Sequence, residues 1–256
     1  MAKIRTLMLR APGTNCDYET QVAFEAAGSA VDSALVYELF RRERSLDTYR
    51  ILVIPGGFTY GDDISAGRIF ANEIRLQLGD EIKRFVAQGK LVMGVCNGFQ
   101  VLVKAGILPG LEGHGLQPVT LTNNDSGKFE CRWIHLKVDP DSPCVFTRGM
   151  DRLYIPVNHG EGKLVAAPGV LEQLNVVVRY VDAEGNPGAG YPHNPNGSLD
   201  DIAGICDGTG RIFALMPHPE RFIRWTQHPR WTREAPRPSG DGLQVFVNAV
   251  EWAKGI

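Results

Sequence analysis

Residues 91–103 read LVMGVCNGFQVLV, and the pentapeptide Gly94-Val95-Cys96-Asn97-Gly98 within them decides how the rest of the chain is read. The apolar, β-prone run KLVMGV (90–95) stops at Cys96, and NGFQVLVKAGIL (97–108) has helical spacing. A glycine two residues to each side of the cysteine fits a strand-to-helix turn too tight for side chains at those positions. Such a turn presents its central residue at the carboxyl edge of the strand. The helix that follows brings its positive dipole end to the sulfur, which favours thiolate. The backbone N–H of Asn97 then points to where an oxyanion would form. Free cysteine is also a common core residue, so packing competes with reactivity at this point.

Moving outward, the same alternation recurs. YRILVIPGG (49–57) reads as a buried strand ended by Pro55-Gly56-Gly57, and NEIRLQLGDEIKRFVAQG (72–89) as an amphipathic helix stopped at Gly89. IRTLMLR (4–10) is a first strand, DYETQVAFEAAG (17–28) a helix closing on Gly28, and SAVDSALVYEL (29–39) begins as another strand. Strands alternating with helices predict an α/β fold with a mostly parallel central sheet. From about Leu116 the character changes. LQPVTLTNN, KFECRWIHLKV and RLYIPVNHG read as strands joined by turns, which predicts a small antiparallel subsheet inserted in the same domain. NVVVRYVD and IAGICDGTGRIFALMPHPE return to core strands, the latter with a hairpin at Asp207-Gly208, and DGLQVFVNAVEWAKG closes the chain as a helix. Two turn-rich stretches, 182–201 and 226–242, are long enough to be functional or disordered. Core strands lie between them, so residues 1–256 are read as a single domain.

Composition narrows the function. The formal net charge of the 256 residues is -2, with 27 basic and 29 acidic side chains, which leaves no footprint for nucleic acid or an anionic membrane. No apolar run approaches the roughly 18 residues of a membrane span, and the first 20 residues lack the apolar core of a secretory signal. The five cysteines, Cys16, Cys96, Cys131, Cys144 and Cys206, are odd in number, widely spaced and without a CxxC pair. They suggest neither zinc nor a disulfide framework, and the expected setting is a reducing cytoplasm. The sequons at Asn124 and Asn196 then carry no glycan.

A thiol nucleophile needs a base and a group that orients the base. Of six histidines, His114, His135, His193 and His228 read as surface or core residues. His159, in PVNHGEG, and His218, in LMPHPE, remain as candidates. His218 follows the apolar run RIFALM, which places it at the carboxyl edge of a buried strand, the edge that presents Cys96 if those strands are parallel. Glu220 lies two residues on, across a proline, where a carboxylate can hold an imidazole in one tautomer. A solvated strand-end histidine beside an unrelated glutamate is the plainer reading of His-Pro-Glu taken alone. Gly57, after the preceding strand, can offer a second oxyanion donor or be an ordinary turn glycine. Gln100, one turn into the helix after Cys96, is either a substrate-binding amide or a helix-surface one.

Taken in order, PGG, GVCNGFQ and HPE resemble the triad class of glutamine amidotransferases. RAPGTNCDYE, PGGFTYGDDISAGRIFA, GVCNGFQVLVKAGILPG, NDSGKFECRW, HGEGK, NPNGSLDDIAGI and LMPHPER are similar, within that class, to the glutaminase components of phosphoribosylformylglycinamidine synthase. The resemblance spans Leu7 to Arg221. The stretch from Phe222 to Asp241 departs from it, being longer and richer in Trp, Pro and Arg than the short bacterial form and nearer the single-chain synthase. The resemblance implies a flavodoxin-like three-layer sandwich, with Cys96 as nucleophile, His218 as base and Glu220 as its orienter. It implies glutamine as substrate, Gly57 and Asn97 at the oxyanion, Gln100 at the substrate, and no metal. The chain has neither a G-x-x-x-x-G-K-[ST] loop nor a G-x-G-x-x-G motif after a strand. ATP and magnesium are therefore expected on a partner synthetase subunit, joined by a small accessory subunit, with FTYGDDISAGR and PHNPNGS as candidate docking or channel loops. Rival readings are an amidotransferase serving GMP or anthranilate synthesis, a binding or stress-response protein with an elbow cysteine, and an unrelated cysteine hydrolase. The words TYGDDISAG and NDSGKFE weigh against the first, and the paired His and Glu against the second.

Overall fold

The computed structural model describes residues 3–111 and 117–256. His114 and the start of the LQPVTLTNN stretch lie outside the described residues. The first half of the chain builds a parallel sheet from β1 (Arg5–Arg10), β2 (Ala30–Leu35), β3 (Ile51–Ile54) and β4 (Leu91–Val95), in the order β2-β1-β3-β4. Every residue of β3 and β4 is buried, which explains why ILVI and LVMGV read as unbroken apolar runs rather than alternating ones. The helices between them are α1 (Asp17–Ala26), α2 (Val36–Phe40) and α3 (Arg68–Ala87), with α4 (Asn97–Lys104) after β4. Strand order reverses between β1 and β3, so right-handed crossovers send α1 to one face and α2 and α3 to the other. The last helix, α5 (Leu243–Lys254), packs on α1, where the rings of Phe24 and Phe246 meet edge to face at 4.9 Å. This is the expected three-layer arrangement.

β11 (Ile212–Leu215) joins the parallel block beside β4, with Leu215 paired to Val95. The hairpin at Asp207-Gly208 links it to β10 (Ile202–Cys206), as read from the sequence. Beyond β10 the sheet continues, antiparallel, through β9 (Asn175–Val181), β6 (Glu130–Val138) and β7 (Arg152–His159). β7 buries Leu153, Ile155, Val157 and His159 in strict alternation, the pattern of a strand covered on one face. Of the stretches assigned to an inserted subsheet, KFECRWIHLKV and RLYIPVNHG thus extend the main sheet. The separate antiparallel ribbon pairs β5 (Val119–Thr122) with the short β8 (Lys163–Ala166). Both sheets expected are present; the division of strands between them differs, because register over eight residue pairs ties β6 to β7 and thence to β9.

SAVDSALVYEL begins as a strand, as read, and turns to helix at Val36. One boundary differs: α3 begins at Arg68 rather than Asn72. The long stretches are ordered by side chains. Asn194, Asn196 and Ser198 are buried, with Asn196 donating to the Gly162 carbonyl at 2.8 Å and Tyr180 Oη at 3.1 Å. The asparagines of PHNPNGS are scaffold, which withdraws them from the docking role read for that loop. In the 222–242 segment Phe222, Trp225 and His228 are buried, Phe222 and His228 against Trp133 and Trp225 stacked on His228, and Arg237 lies 4.8 Å from the Trp225 ring centroid.

Candidate active site

The carboxyl ends of β1, β3, β4, β7 and β11 converge on one edge of the sheet, next to its topological switch point. Cys96 sits between β4 and α4 with φ 52° and ψ -105°, a conformation a non-glycine residue holds at a cost of about 1–3 kcal/mol. The two glycines permit it. A Cβ on Gly98 would collide with the Ile54 carbonyl oxygen, and one on Gly94 would stand 2.7 Å from the Gly98 carbonyl oxygen and from Leu102 Cδ1. β3, β4 and α4 therefore meet backbone to backbone, and the cysteine is what projects.

Register brings His218 to the edge where Cys96 stands. Because β11 runs parallel to β4, the turn Met216–Arg221 leaves at the edge where Cys96 is presented. His218 Nδ1 lies 2.6 Å from Glu220 Oε1, and both side chains are buried. The carboxylate can only accept, so Nδ1 carries a proton, and in the neutral imidazole this tautomer leaves the lone pair on Nε2. Nε2 is buried and has no hydrogen-bond partner, as does Glu220 Oε2. Gly56 separates base and thiol: a Cβ there would lie 3.0 Å from His218 Cε1 and 3.4 Å from Cys96 Cβ.

A cavity of about 510 Å³ opens on this edge, lined among others by Gly57, Cys96, Gln100, Asn158, His159 and Glu161. Gly57 pairs with Thr14 across an isolated bridge, and Asn97 is buried behind the cavity wall. Gln100 is buried too, so it is not a helix-surface amide. Its Nε2 donates to the Glu161 carbonyl at 2.6 Å and its Oε1 accepts from Asn97 Nδ2 at 2.9 Å. The Asn97 side chain also accepts from Thr59 Oγ1 at 2.6 Å and donates to Asp62 at 3.3 Å. Its amide thus pins the loop after β3 to α4, a role beyond the backbone one read from sequence.

Charge in the site follows burial. Desolvation pushes the Cys96 thiol well up, with Cys16 and Glu220 adding to it, while the Asn97 N–H and Arg221 act the other way. Burial thus opposes the thiolate that the helix terminus favours, and the Asn97 N–H acts in the direction read from the sequence. Desolvation, then His218, holds the His159 imidazole down to about 3, so it is neutral. His159 Nδ1 is 3.1 Å from Asn124 Oδ1, and the residue forms part of the cavity wall. Burial and then Glu161 push Asp62 up to about 6. Among the other histidines, His135 stacks on Tyr154 and His228 is buried among aromatic rings.

Several site residues escaped the sequence reading. Cys16, taken for a packing residue, places its sulfur with His218 and Glu220 in a cluster of donor atoms all within 4.8 Å of one another. Three such donors suit a metal, but the Arg221 guanidinium, 3.1 Å from that sulfur, already supplies the positive charge. Asn158, whose carbonyl accepts from Cys96 Sγ at 3.5 Å, was missed, as were Glu161 and Lys104. Glu161 accepts the Ala66 N–H at 3.1 Å and lies 3.6 Å from buried Lys104, which donates to the Ala66 carbonyl at 2.5 Å. Asn124 and Asn196, the two sequons, are buried hydrogen-bonding residues. The one available signal for Cys16 was its place in the loop between the first strand and the first helix, on the same edge.

Comparison with known proteins identifies the family. The family model of the CobB/CobQ-like glutamine amidotransferase domain matches residues 3–253. A phosphoribosylformylglycinamidine synthase subunit PurQ from Dehalococcoides mccartyi is 57% identical, with 100% of each chain covered. The subunit of the same name from Methanococcus maripaludis is 41% identical, with 97% of each covered. A chain in the structure of PurLQS from Thermotoga maritima superposes with a TM-score of 0.73 at 32% identity, covering 98% of this chain and 99% of that one.

Proposed function

The chain belongs to the CobB/CobQ-like glutamine amidotransferase family and is a relative of the PurQ subunits, and from that footing we propose that it is the glutaminase component of a phosphoribosylformylglycinamidine synthase. The observation that carries the chemistry is the buried His218–Glu220 pair, with Nε2 uncommitted, at the edge where the strained turn presents Cys96.

In this mechanism the Cys96 sulfur attacks the side-chain amide carbon of glutamine as its proton passes to His218 Nε2. Transfer to the imidazole is needed because burial disfavours a free thiolate. Glu220 keeps Nδ1 protonated and balances the imidazolium that forms. The tetrahedral oxyanion meets the backbone N–H groups of Gly57 and Asn97, each worth about 3–4 kcal/mol in comparable sites. His218 then gives the proton to the departing nitrogen, the carbon–nitrogen bond breaks, and ammonia leaves a γ-glutamyl thioester. Water, losing its proton to His218 Nε2, attacks the thioester; the carbon–sulfur bond breaks, glutamate departs and the proton passes from Nε2 to sulfur. Gln100 lines the cavity and holds the substrate side of α4.

Ammonia is passed to a synthetase subunit that binds ATP and magnesium, with a small accessory subunit completing the complex in a reducing cytoplasm. The relative in the PurLQS structure supports such an assembly. Among the described residues no helix is long and apolar enough to cross a membrane. The test is synthesis of formylglycinamidine ribonucleotide by the reconstituted complex. Cys96→Ala should abolish the glutamine-driven reaction and leave the ammonia-driven one intact; full glutamine-driven synthesis by that variant would refute the mechanism.

A further inference from the structure

Arg221 follows Glu220 directly and has no part in the steps above, yet its guanidinium reaches three acceptors, one on β7 and two at the start of α1. Nη1 donates to Asn158 Oδ1 at 2.5 Å, Nη2 to Cys16 Sγ at 3.1 Å, and Nε lies 3.3 Å from Glu19 Oε1. Asn158 stands on β7, and its carbonyl is the acceptor for the Cys96 thiol. Cys16 and Glu19 flank the start of α1. A planar fork of five donors is the side chain that can hold three such partners at once; a lysine ammonium, a point charge on a flexible stem, is not.

We infer that Arg221 is the positioning residue of the Cys96 thiol: it fixes Asn158 against the sulfur and supplies the standing positive charge that offsets Glu220 when the thiol gives up its proton. The inference rests on Cys96 being the nucleophile. The groups that face the sulfur are Cys16 ahead of α1, Glu220 and Arg221 in the turn after β11, buried Tyr180 on β9, the Asn158 carbonyl on β7 and the Asn97 N–H on α4, with His218 across Gly56. Neutral His159 shares the cavity wall. Within that set Glu220 opposes a second negative charge, and Arg221 is the fixed cation. His218 becomes positive only by taking the proton itself. The guanidinium is about one-third exposed, so it is partly solvated but held on three sides.

The experiment follows the pH dependence of Cys96 carbamidomethylation by iodoacetamide in the full-length chain, read by mass spectrometry of the Cys96 peptide, with a thermal melt for every variant. Arg221→Gln should move the inflection upward by about one pH unit, the scale of an opposite charge a few ångströms away. Arg221→Lys should leave it close to wild type, since the charge survives although the fork does not. Glu19→Gln, which removes a carboxylate from the same guanidinium, should leave the inflection in place or lower it. An unmoved inflection in Arg221→Gln, equal shifts in the Gln and Lys variants, or a rise in Glu19→Gln would each overturn the inference. If Arg221→Gln does not fold, the other two variants still decide it. Alkylation needs neither glutamine nor a partner, so the outcome is separable from the proposed glutaminase activity.

Discussion

Cys16 and Cys96 both border Gly56, as His218 does, and each is buried and stands immediately ahead of a helix. In residue type, burial and helix dipole they are near equals. Their backbones are not: Cys16 sits at φ -95° and ψ 20°, whereas Cys96 is forced to φ 52° by the meeting of β4 and α4. Cys96 lines the cavity, and Cys16 does not. The Cys16 sulfur is instead committed to Arg221 and to Asn15 Oδ1 at 3.3 Å, and burial pushes its thiol up to about 12. What separates a nucleophile from a structural thiol here is the turn that projects it and the partners already holding it. Dipole and burial do not distinguish the two.

The contrast can be broken from the base outward. His218→Asn should lower glutamine-dependent turnover roughly 10³-fold or more, in line with loss of a base that acts as a unit with its nucleophile. An unchanged rate would transfer the role to His159 and detach Cys96 from its partner. Next in size, Gly98→Ala forces a methyl against the Ile54 carbonyl and should destabilise the fold by about 3 kcal/mol or more, measured by urea denaturation. A wild-type midpoint would show that the elbow is not as tight as described. Cys16→Ser keeps a small acceptor for Arg221 and should leave glutamine turnover within about threefold of wild type. A loss comparable to that of His218→Asn would make Cys16 part of the chemistry.

The smallest effect concerns the wall opposite Cys16, where Asp62 faces Glu161 and Asn97. Its folded pKa, about 6, lies above its ordinary value of 3.8, so the folded protein binds the proton more tightly than the unfolded chain. The contribution to stability is present below pH 3.8 and is lost as pH rises through 6. Asp62→Asn removes that loss while keeping an acceptor for Asn97. The melting temperature of the variant relative to wild type should therefore climb between pH 4 and 7; a constant or falling difference would contradict the assigned burial.

Much of this site was legible before any coordinates. G-x-C-x-G between an apolar run and a helical one is a local pattern, and the backbone constraint it encodes is satisfied by residues adjacent in the chain. His-Pro-Glu is equally local, which is why Glu220 could be paired with His218. Gln100 could be named but not assigned, because whether a residue one turn into a helix is buried depends on what packs there. Here it is Glu161, 61 residues away. Arg221 and Asn158 went unremarked because their meaning lies in contacts that no periodicity encodes. The ribbon strand β8 was missed since four residues, half of them facing a partner distant in sequence, carry too little alternation to register.

By itself the sequence determined the alternation of strand and helix, the sharp turn at Cys96 and the pairing of a histidine with a carboxylate, since each depends on neighbours a few residues apart. Only the tertiary structure decided which strands belong to the main sheet, that β11 lies parallel beside β4, and that Cys16 and Arg221 share the site. Those outcomes depend on register and close packing between segments tens to hundreds of residues apart, where one shifted strand would have presented a different face.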